Sequence, residues 1–225
     1  MSKIHGRAAA ESEAVRVPAG SVYLEADLLI PGGAKGLVMF AHGSGSGRKS
    51  PRNRFVAESL NERGLGTLLL DLLTAEEEEI DERTRHLRFD IPMLARRLVF
   101  AADWLEEYAP AADLGLGLFG ASTGAGAALI AAAERPERVR AVVSRGGRPD
   151  LAGSSLARVK CPTLLIVGGW DQPVIGMNKE AMAHLVCETR LAIVPGATHL
   201  FEEAGKLEEV AGLAGEWFGK YLAAR

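Results

Sequence analysis

Three groups of residues in this chain could carry out acyl transfer if folding brings them together. The first is "GASTG", residues 120–124, a serine with glycines two places before and two places after it. A serine hydroxyl is a poor nucleophile until a base takes its proton, and the base needs an acid to orient it. The second group supplies both: Asp171 in "GGWDQPV" and His199 in "GATHLF". The third is "HGSGSG", residues 42–47. Attack on a carbonyl creates an oxyanion that preorganised N–H groups must meet. The expected donors are the backbone N–H of Thr123, directly after the serine, and that of Ser44, with Gly45 as the alternative.

Other uses of these residues compete with that chemistry. An aspartate after a strand often caps the next helix, and a loop histidine often sits idle on the surface. The segment "HGSGSGRKS" could be a flexible linker or a phosphate-cradling loop. A P-loop requires glycine immediately before Lys-Ser, and Arg48 stands there instead. A linker would separate two domains, yet the segment lies tight between an apolar run and a helical pattern. His5, His86 and His184 follow no strand and are read as bystanders; His42 opens the loop and is read as structural.

The elements that must position these residues alternate along the chain. "SVYLEADLLI" (21–30) alternates apolar and polar residues, as a strand with one wet face does. "GLVMFA" (36–41), "GTLLLD" (66–71), "LGLGLFG" (114–120), "RVRAVVS" (138–144), "CPTLLIVGG" (161–169) and "TRLAIVP" (189–195) read as further strands, several buried on both faces. Between them run helical patterns: one capped by Ser50 with Pro51 at its first position, then about 91–108, 123–135, 175–187 and 206–222. Alternation of this kind implies parallel strands joined by right-handed crossovers, hence a three-layer α/β sheet. Its strand ends share one edge, so Ser122, Asp171 and His199 should converge there. Residues 1–14 read as a tail on a single domain spanning 1–225. "EEEEIDERTRHLRFD" (76–90) reads as a solvated helix or loop with Glu79–Arg83 and Asp81–Arg85 spaced for ion pairs, or as a flap over the site. Arg145 and Arg148 follow a strand on the active edge and could hold an anionic group or pair locally, as Arg148 could with Asp150.

Composition narrows the class. The chain has 225 residues, 48% hydrophobic and 24% charged, with a net charge of −3, so no global field favours nucleic acid or an anionic membrane. No apolar run reaches membrane-span length. Cys161 and Cys187 lack metal-ligand spacing and read as reduced thiols in a cytoplasmic protein.

"HGSGSG", "GASTG", "WD" (170–171) and "GATH" (196–199), in that order, make residues 20–222 resemble the α/β-hydrolase superfamily. Within it the chain is most similar to the small dienelactone-hydrolase-like branch, with serine rather than that branch's cysteine at position 122. The resemblance implies an α/β-hydrolase fold: a mostly parallel twisted sheet of seven or eight strands, helices on both faces and no cap domain. It implies a serine hydrolase of small carboxylic esters with Ser122, Asp171 and His199 as triad, and with no cofactor or metal. Lactones, thioesters or peptides would use the same residues, and a ligand-binding receptor could be built on the same scaffold. The expected partner is a small-molecule ester, with no nucleic acid and no membrane; the oligomeric state is open, a homodimer included.

Overall fold

A computed structural model describes residues 11–223, and in it the apolar runs form one eight-stranded sheet. The strands are β1 (Glu13–Ala19), β2 (Val22–Leu29), β3 (Leu37–Ala41), β4 (Gly66–Leu70), β5 (Leu116–Ala121), β6 (Val139–Arg145), β7 (Thr163–Gly168) and β8 (Thr189–Val194). Their order is β1-β2-β4-β3-β5-β6-β7-β8. β2 pairs antiparallel with β1 and β4, and every other pairing is parallel. The carboxyl ends of β3 to β8 therefore open on one edge, where the loops carrying residues 42–47, 122, 146–148, 171 and 199 emerge.

Helices cover both faces, which is why the central strands are apolar on both sides. α1 (Pro51–Glu62) and α6 (Lys206–Leu222) pack on one face; α3 (Ile91–Glu107) and α4 (Thr123–Glu134) pack on the other. β5 shows the division. Leu116 and Leu118 join the cluster of Leu98, Leu105 and Leu129, whereas Phe119 joins Val56 and Phe218. Each such side chain, fully buried, contributes about 1.5–3 kcal/mol. α1 begins as expected: the Ser50 hydroxyl accepts from the Asn53 N–H and Pro51 occupies the first turn.

Two expectations need correction. The tail expected over residues 1–14 overlaps β1, which starts at Glu13; residues 1–10 lie outside the described residues. β1 is an edge strand paired with β2 alone, and an edge tolerates the charges and the Pro18 that disguise it. In the 76–90 segment, α2 (Ala75–Thr84) forms, followed by a 3₁₀ turn at Leu87–Phe89, but neither expected ion pair does among the described residues. Arg85 ends α2 in the left-handed region (φ 57°), and the chain doubles back so that Arg88 reaches Asp81. Asp81 also accepts from the backbone N–H of Leu87 (2.7 Å) and Arg88 (3.2 Å), and its side chain is buried.

α2 is tied at its other end as well. Thr74 and Glu77 form a capping box, and Glu77 accepts two hydrogen bonds from Arg97 of α3 (2.6 and 2.5 Å). Between β6 and β7 there are only 3₁₀ turns, Pro149–Arg158, kinked at Gly153 (φ 52°), and no cap domain. Among the described residues no helix is long and apolar enough to cross a membrane.

The contact between β5 and α6 gives a test of this packing. A Cβ on Gly117 would lie 2.6 Å from the buried ring of Phe218, whereas one on Gly212 of α6 meets nothing within 4 Å. Gly117→Ala should cost about 1–3 kcal/mol by overpacking. Gly212→Ala should stabilise by about 0.5–1 kcal/mol through helix propensity. Urea midpoints of the two variants, measured side by side, should move in opposite directions.

Candidate active site

The sharpest local constraint in the chain falls on Ser122. It sits between β5 and α4 at φ 50°, ψ −121°, a conformation costly for a residue with a side chain. The flanking glycines are sterically required. A Cβ on Gly120 would lie 2.4 Å from Ala125 Cα, and one on Gly124 would lie 2.2 Å from the carbonyl oxygen of Ala41. The strained turn is held by the neighbouring strand end, since the Ser122 N–H donates to the carbonyl of Arg145 (3.2 Å) and the Ser122 carbonyl accepts from the Arg148 N–H (3.0 Å). The Ser122 hydroxyl makes no hydrogen bond among the described residues. Thr123 opens α4, whose N-terminal amides and dipole favour negative charge at this point.

Asp171 and His199 meet. Asp171 leaves β7 at the first position before α5 (Gln172–Met182), but its carboxylate does not cap that helix. Instead Oδ2 lies 2.7 Å from His199 Nδ1. The His199 loop follows β8, turns at Gly196 (φ 71°) and is fixed by Glu203, whose carboxylate accepts from the Thr198 N–H (3.2 and 3.1 Å). Gly168 lets this loop cross over β7, because a Cβ there would lie 2.4 Å from the carbonyls of Ala197 and Thr198. The imidazole is brought to the nucleophile turn through Gly146. A Cβ on that glycine would lie 3.4 Å from His199 Nδ1, and Gly146 directly follows the Arg145 that holds Ser122. No hydrogen bond joins His199 to Ser122 among the described residues; in unliganded hydrolytic sites that contact is often loose and tightens when substrate arrives.

Known proteins share this fold. A crystal structure of dienelactone hydrolase from Anabaena variabilis superposes with a TM-score of 0.94 at 63% sequence identity, covering 96% of this chain and 100% of that one. The chain belongs to the dienelactone hydrolase family. The fold is shared far more widely: an esterase from Pyrococcus furiosus superposes with a TM-score of 0.74 at 17% identity, covering 95% of this chain and 92% of that one. Two curated relatives from Mycobacterium tuberculosis, strains CDC 1551 / Oshkosh and H37Rv, are named "putative phosphoribosyl transferase". They are 56% identical over 210 residues, 93% of this chain, but the chain spans only 46% of their length. No protein-family model matches the chain.

The loop after β3, which carries the expected oxyanion donor Ser44, packs against Thr123. The backbone N–H of Ser44 is the donor expected there, with Gly45 as the alternative. Ser44 lies against the nucleophile turn, but its N–H donates to Thr123 Oγ1 at 3.0 Å. The reason is that the two strand ends converge so closely that a Cβ on Gly43 would lie 3.1 Å from Ser122 Cβ. His42 pins the base of the loop. Its Nδ1 pairs with the Gly43 carbonyl (2.9 Å) and its Nε2 accepts from the Leu72 N–H (2.9 Å), which fixes a neutral ring. Burial pushes the His42 pKa below its ordinary value of 6.5.

Beyond the loop lies an open recess of about 630 Å³ whose walls include Ser44, Ser46, Arg48, Arg52, Glu78 and Leu94. It adjoins the Ser44 loop and does not cover Ser122 or His199. Polar and apolar surface share its wall about equally, and α2 contributes Glu78, Asp81 and Glu82. Arg148 pairs with Asp150 (2.7 Å), the local alternative weighed above. Arg145 has no such partner. It is buried, its Nη2 lies 3.5 Å from Asn53 Oδ1, and among the described residues its Nε and Nη1 have no hydrogen-bond partner. Burial, followed by the nearby Arg52, lowers its pKa to about 10. Among the described residues no cluster of His, Cys, Asp and Glu is placed to hold a metal.

Two outcomes follow from the loop. Ser44→Pro deletes the N–H and should lower kcat for an ester substrate by about 10²–10³, while Ser44→Ala should keep most activity; equal losses in the two would assign the effect to the hydroxyl. His42 refuses a proton that the unfolded chain accepts. Stability should therefore be level above pH 6.5 and fall as pH drops below it. Urea titrations from pH 8 to 5 should show that slope, reduced in His42→Gln.

Proposed function

We propose that this protein is a serine hydrolase of small carboxylic esters. The observation that carries the reading is the Asp171–His199 pair at 2.7 Å beside a serine whose backbone is held at φ 50° by two obligatory glycines. In this reading Ser122 Oγ attacks the ester carbonyl, and His199 Nε2 takes its proton and returns it to the leaving alkoxide. Asp171 holds the Nδ1–H tautomer and stabilises the imidazolium. The Thr123 N–H and the Ser44 N–H, shared with or released from Thr123 Oγ1, meet the oxyanion. Water, activated by the same histidine, then clears the acyl group. No step needs a cofactor. Membership of the dienelactone hydrolase family supports hydrolysis, with lactones as the cyclic form of the same bond. The transferase name of the mycobacterial relatives belongs to proteins of which this chain spans under half, and the Asp171–His199 pair supports acyl transfer instead.

The substrate's acyl part should be short. No cap covers the strand ends, and charged side chains such as Arg48, Glu78 and Glu82 interrupt the apolar surface of the nearest recess. Each buried methylene is worth about 0.8 kcal/mol, but only where a wall exists to receive it.

The triad is tested by kinetics on p-nitrophenyl acetate. Ser122→Ala and His199→Ala should each lower kcat by about 10⁶, and Asp171→Asn by about 10⁴. Retention of more than a few per cent of activity in Ser122→Ala would overturn the assignment, and a wild-type protein that turns over only a few times would be a receptor. Across p-nitrophenyl esters from acetate to palmitate, kcat/KM should level off or fall beyond roughly four to six carbons. A maximum in the long-chain range, or a jump at the substrate's solubility limit, would make α2 an apolar lid.

A further inference from the structure

The nucleophile turn and the histidine loop both lean on a short segment that belongs to neither, residues 145–148 at the end of β6. Its main chain holds the turn twice, through the Arg145 carbonyl on the Ser122 N–H (3.2 Å) and the Arg148 N–H on the Ser122 carbonyl (3.0 Å). Gly146 backs the histidine, since a Cβ there would lie 3.0 Å from the His199 carbonyl oxygen and 3.4 Å from Nδ1. Two consecutive glycines give the segment little stiffness of its own. Gly147 is hemmed in: a Cβ on it would clash with Ser144 Oγ and lie 2.6 Å from Ala125 Cβ. Among the described residues it nevertheless makes one hydrogen bond, in which its carbonyl accepts from Asn178 Nδ2 of α5 (2.9 Å). Asn178 is fully buried. Its Nδ2 also donates to the Val174 carbonyl one turn back (2.8 Å), and two carbonyls against one atom of the amide identify that atom as the nitrogen. Its Oδ1 has no partner among the described residues. A buried oxygen left unpaired is unfavourable, and an apolar side chain of similar size would avoid it. The use of the amide therefore lies in its donors, and the one that leaves α5 goes to Gly147. α5 is also the helix that Asp171 opens, with the Ile175 N–H on the Asp171 carbonyl (3.0 Å).

We propose that Asn178 is a positioning residue for the hydrolytic reaction: through Gly147 it registers the nucleophile turn on the helix that carries the acid. This role rests on the ester-hydrolase reading of Ser122, Asp171 and His199. α5 then acts as a rigid bar. One end sets the carboxylate that orients His199. Two turns on, Asn178 sets the segment against which Ser122 and His199 both pack. Without the amide bond the two glycines are free to shift, and the spacing between Ser122 and His199 shifts with them while the fold persists. Alignment of the attacking oxygen with its base is what a small displacement degrades most. The buried amide offers nothing to a bound ester, so ground-state binding is left alone.

The test compares Asn178→Leu with the wild type on p-nitrophenyl acetate, well below the Tm of both. kcat should fall by about 10- to 100-fold, with KM nearly unchanged. Inactivation by diethyl p-nitrophenyl phosphate, in which Ser122 Oγ displaces p-nitrophenolate, should slow by a similar factor, because it needs the same serine and base. Asn178→Ser separates the helix from the segment. Its hydroxyl can still bond the Val174 carbonyl but is too short to reach Gly147, so it should lose kcat as the leucine variant does, and it reads the effect if that variant fails to fold. Ser144→Ala is the packing control. It removes a buried, unpartnered hydroxyl that lies against Gly147 and should leave kcat at the wild-type value. A lowered urea midpoint with unchanged kcat in both Asn178 variants would make the residue structural only and overturn the proposal. So would a loss confined to KM, or a loss in Ser144→Ala as large as theirs. A wild type that stops after a few turnovers ends the hydrolase reading and this role with it, whereas a wild type that turns over no faster than its Asn178 variants ends this role alone.

Discussion

The backbone of Ser122 is the constraint around which the rest of the site is built. A side-chain-bearing residue at φ 50°, ψ −121° is unfavourable by about 1–3 kcal/mol, and it persists only because the surroundings leave no alternative. β5 and α4 must approach within van der Waals contact on both sides of it, which the missing Cβ atoms of Gly120 and Gly124 allow. β6 must end level with β5, so that the Arg145 carbonyl can take the Ser122 N–H. β3 must end against the same turn, which brings Gly43 and the Ser44 amide beside the serine. A parallel sheet with flush strand ends meets all three demands at once. The turn therefore ties the hydrolase-like topology to the chemistry, and neither is free to vary alone.

The same economy governs the histidine. An imidazole on a loop is mobile unless something fixes both its ring and its backbone. Asp171 fixes the ring from β7, and Glu203 fixes the backbone at Thr198. Gly168 permits the crossing between them. His42 plays the complementary part beneath the oxyanion loop, where a neutral ring joins two main-chain groups, Leu72 after β4 and Gly43 after β3. The two histidines thus differ by environment alone: one is buried and locked in a single tautomer, the other is 39% exposed in its side chain with a carboxylate on one nitrogen and, among the described residues, no partner on the second.

Much of this was legible in the sequence, because the signals were local. β3, β4 and β5 are uninterrupted apolar runs ended by turn residues, and the G-x-S-x-G pattern sits where such a run meets an alanine-rich helix. The order serine, aspartate, histidine after successive strands then placed the triad candidates on one edge. What stayed hidden depends on contacts between distant residues. β1 looks like a tail because an edge strand needs apolar residues on one side only, and its Pro18 costs nothing there. Asp81 looks like the partner of Arg85 because helical spacing says so; the left-handed residue that ends α2 turns the chain and delivers Arg88 instead. The bond from Ser44 to Thr123 spans 79 positions and has no sequence signature.

Arg145 is the most instructive of the hidden features. In the sequence it is one of two arginines in "SRGGRPD", and local pairing with Asp150 accounts for either. The fold separates them by strand periodicity. Arg148 lies beyond the strand and finds Asp150. Arg145 is still in β6, so its side chain is committed to the α1 face, where the neighbours are Asn53 and Arg52 and no carboxylate. A leucine in its place would satisfy the sheet as well and would cost no desolvation. The position holds a cation instead, against the first turn of a helix and one residue before the glycine that abuts His199, and among the described residues Asn53 is its one hydrogen-bond partner.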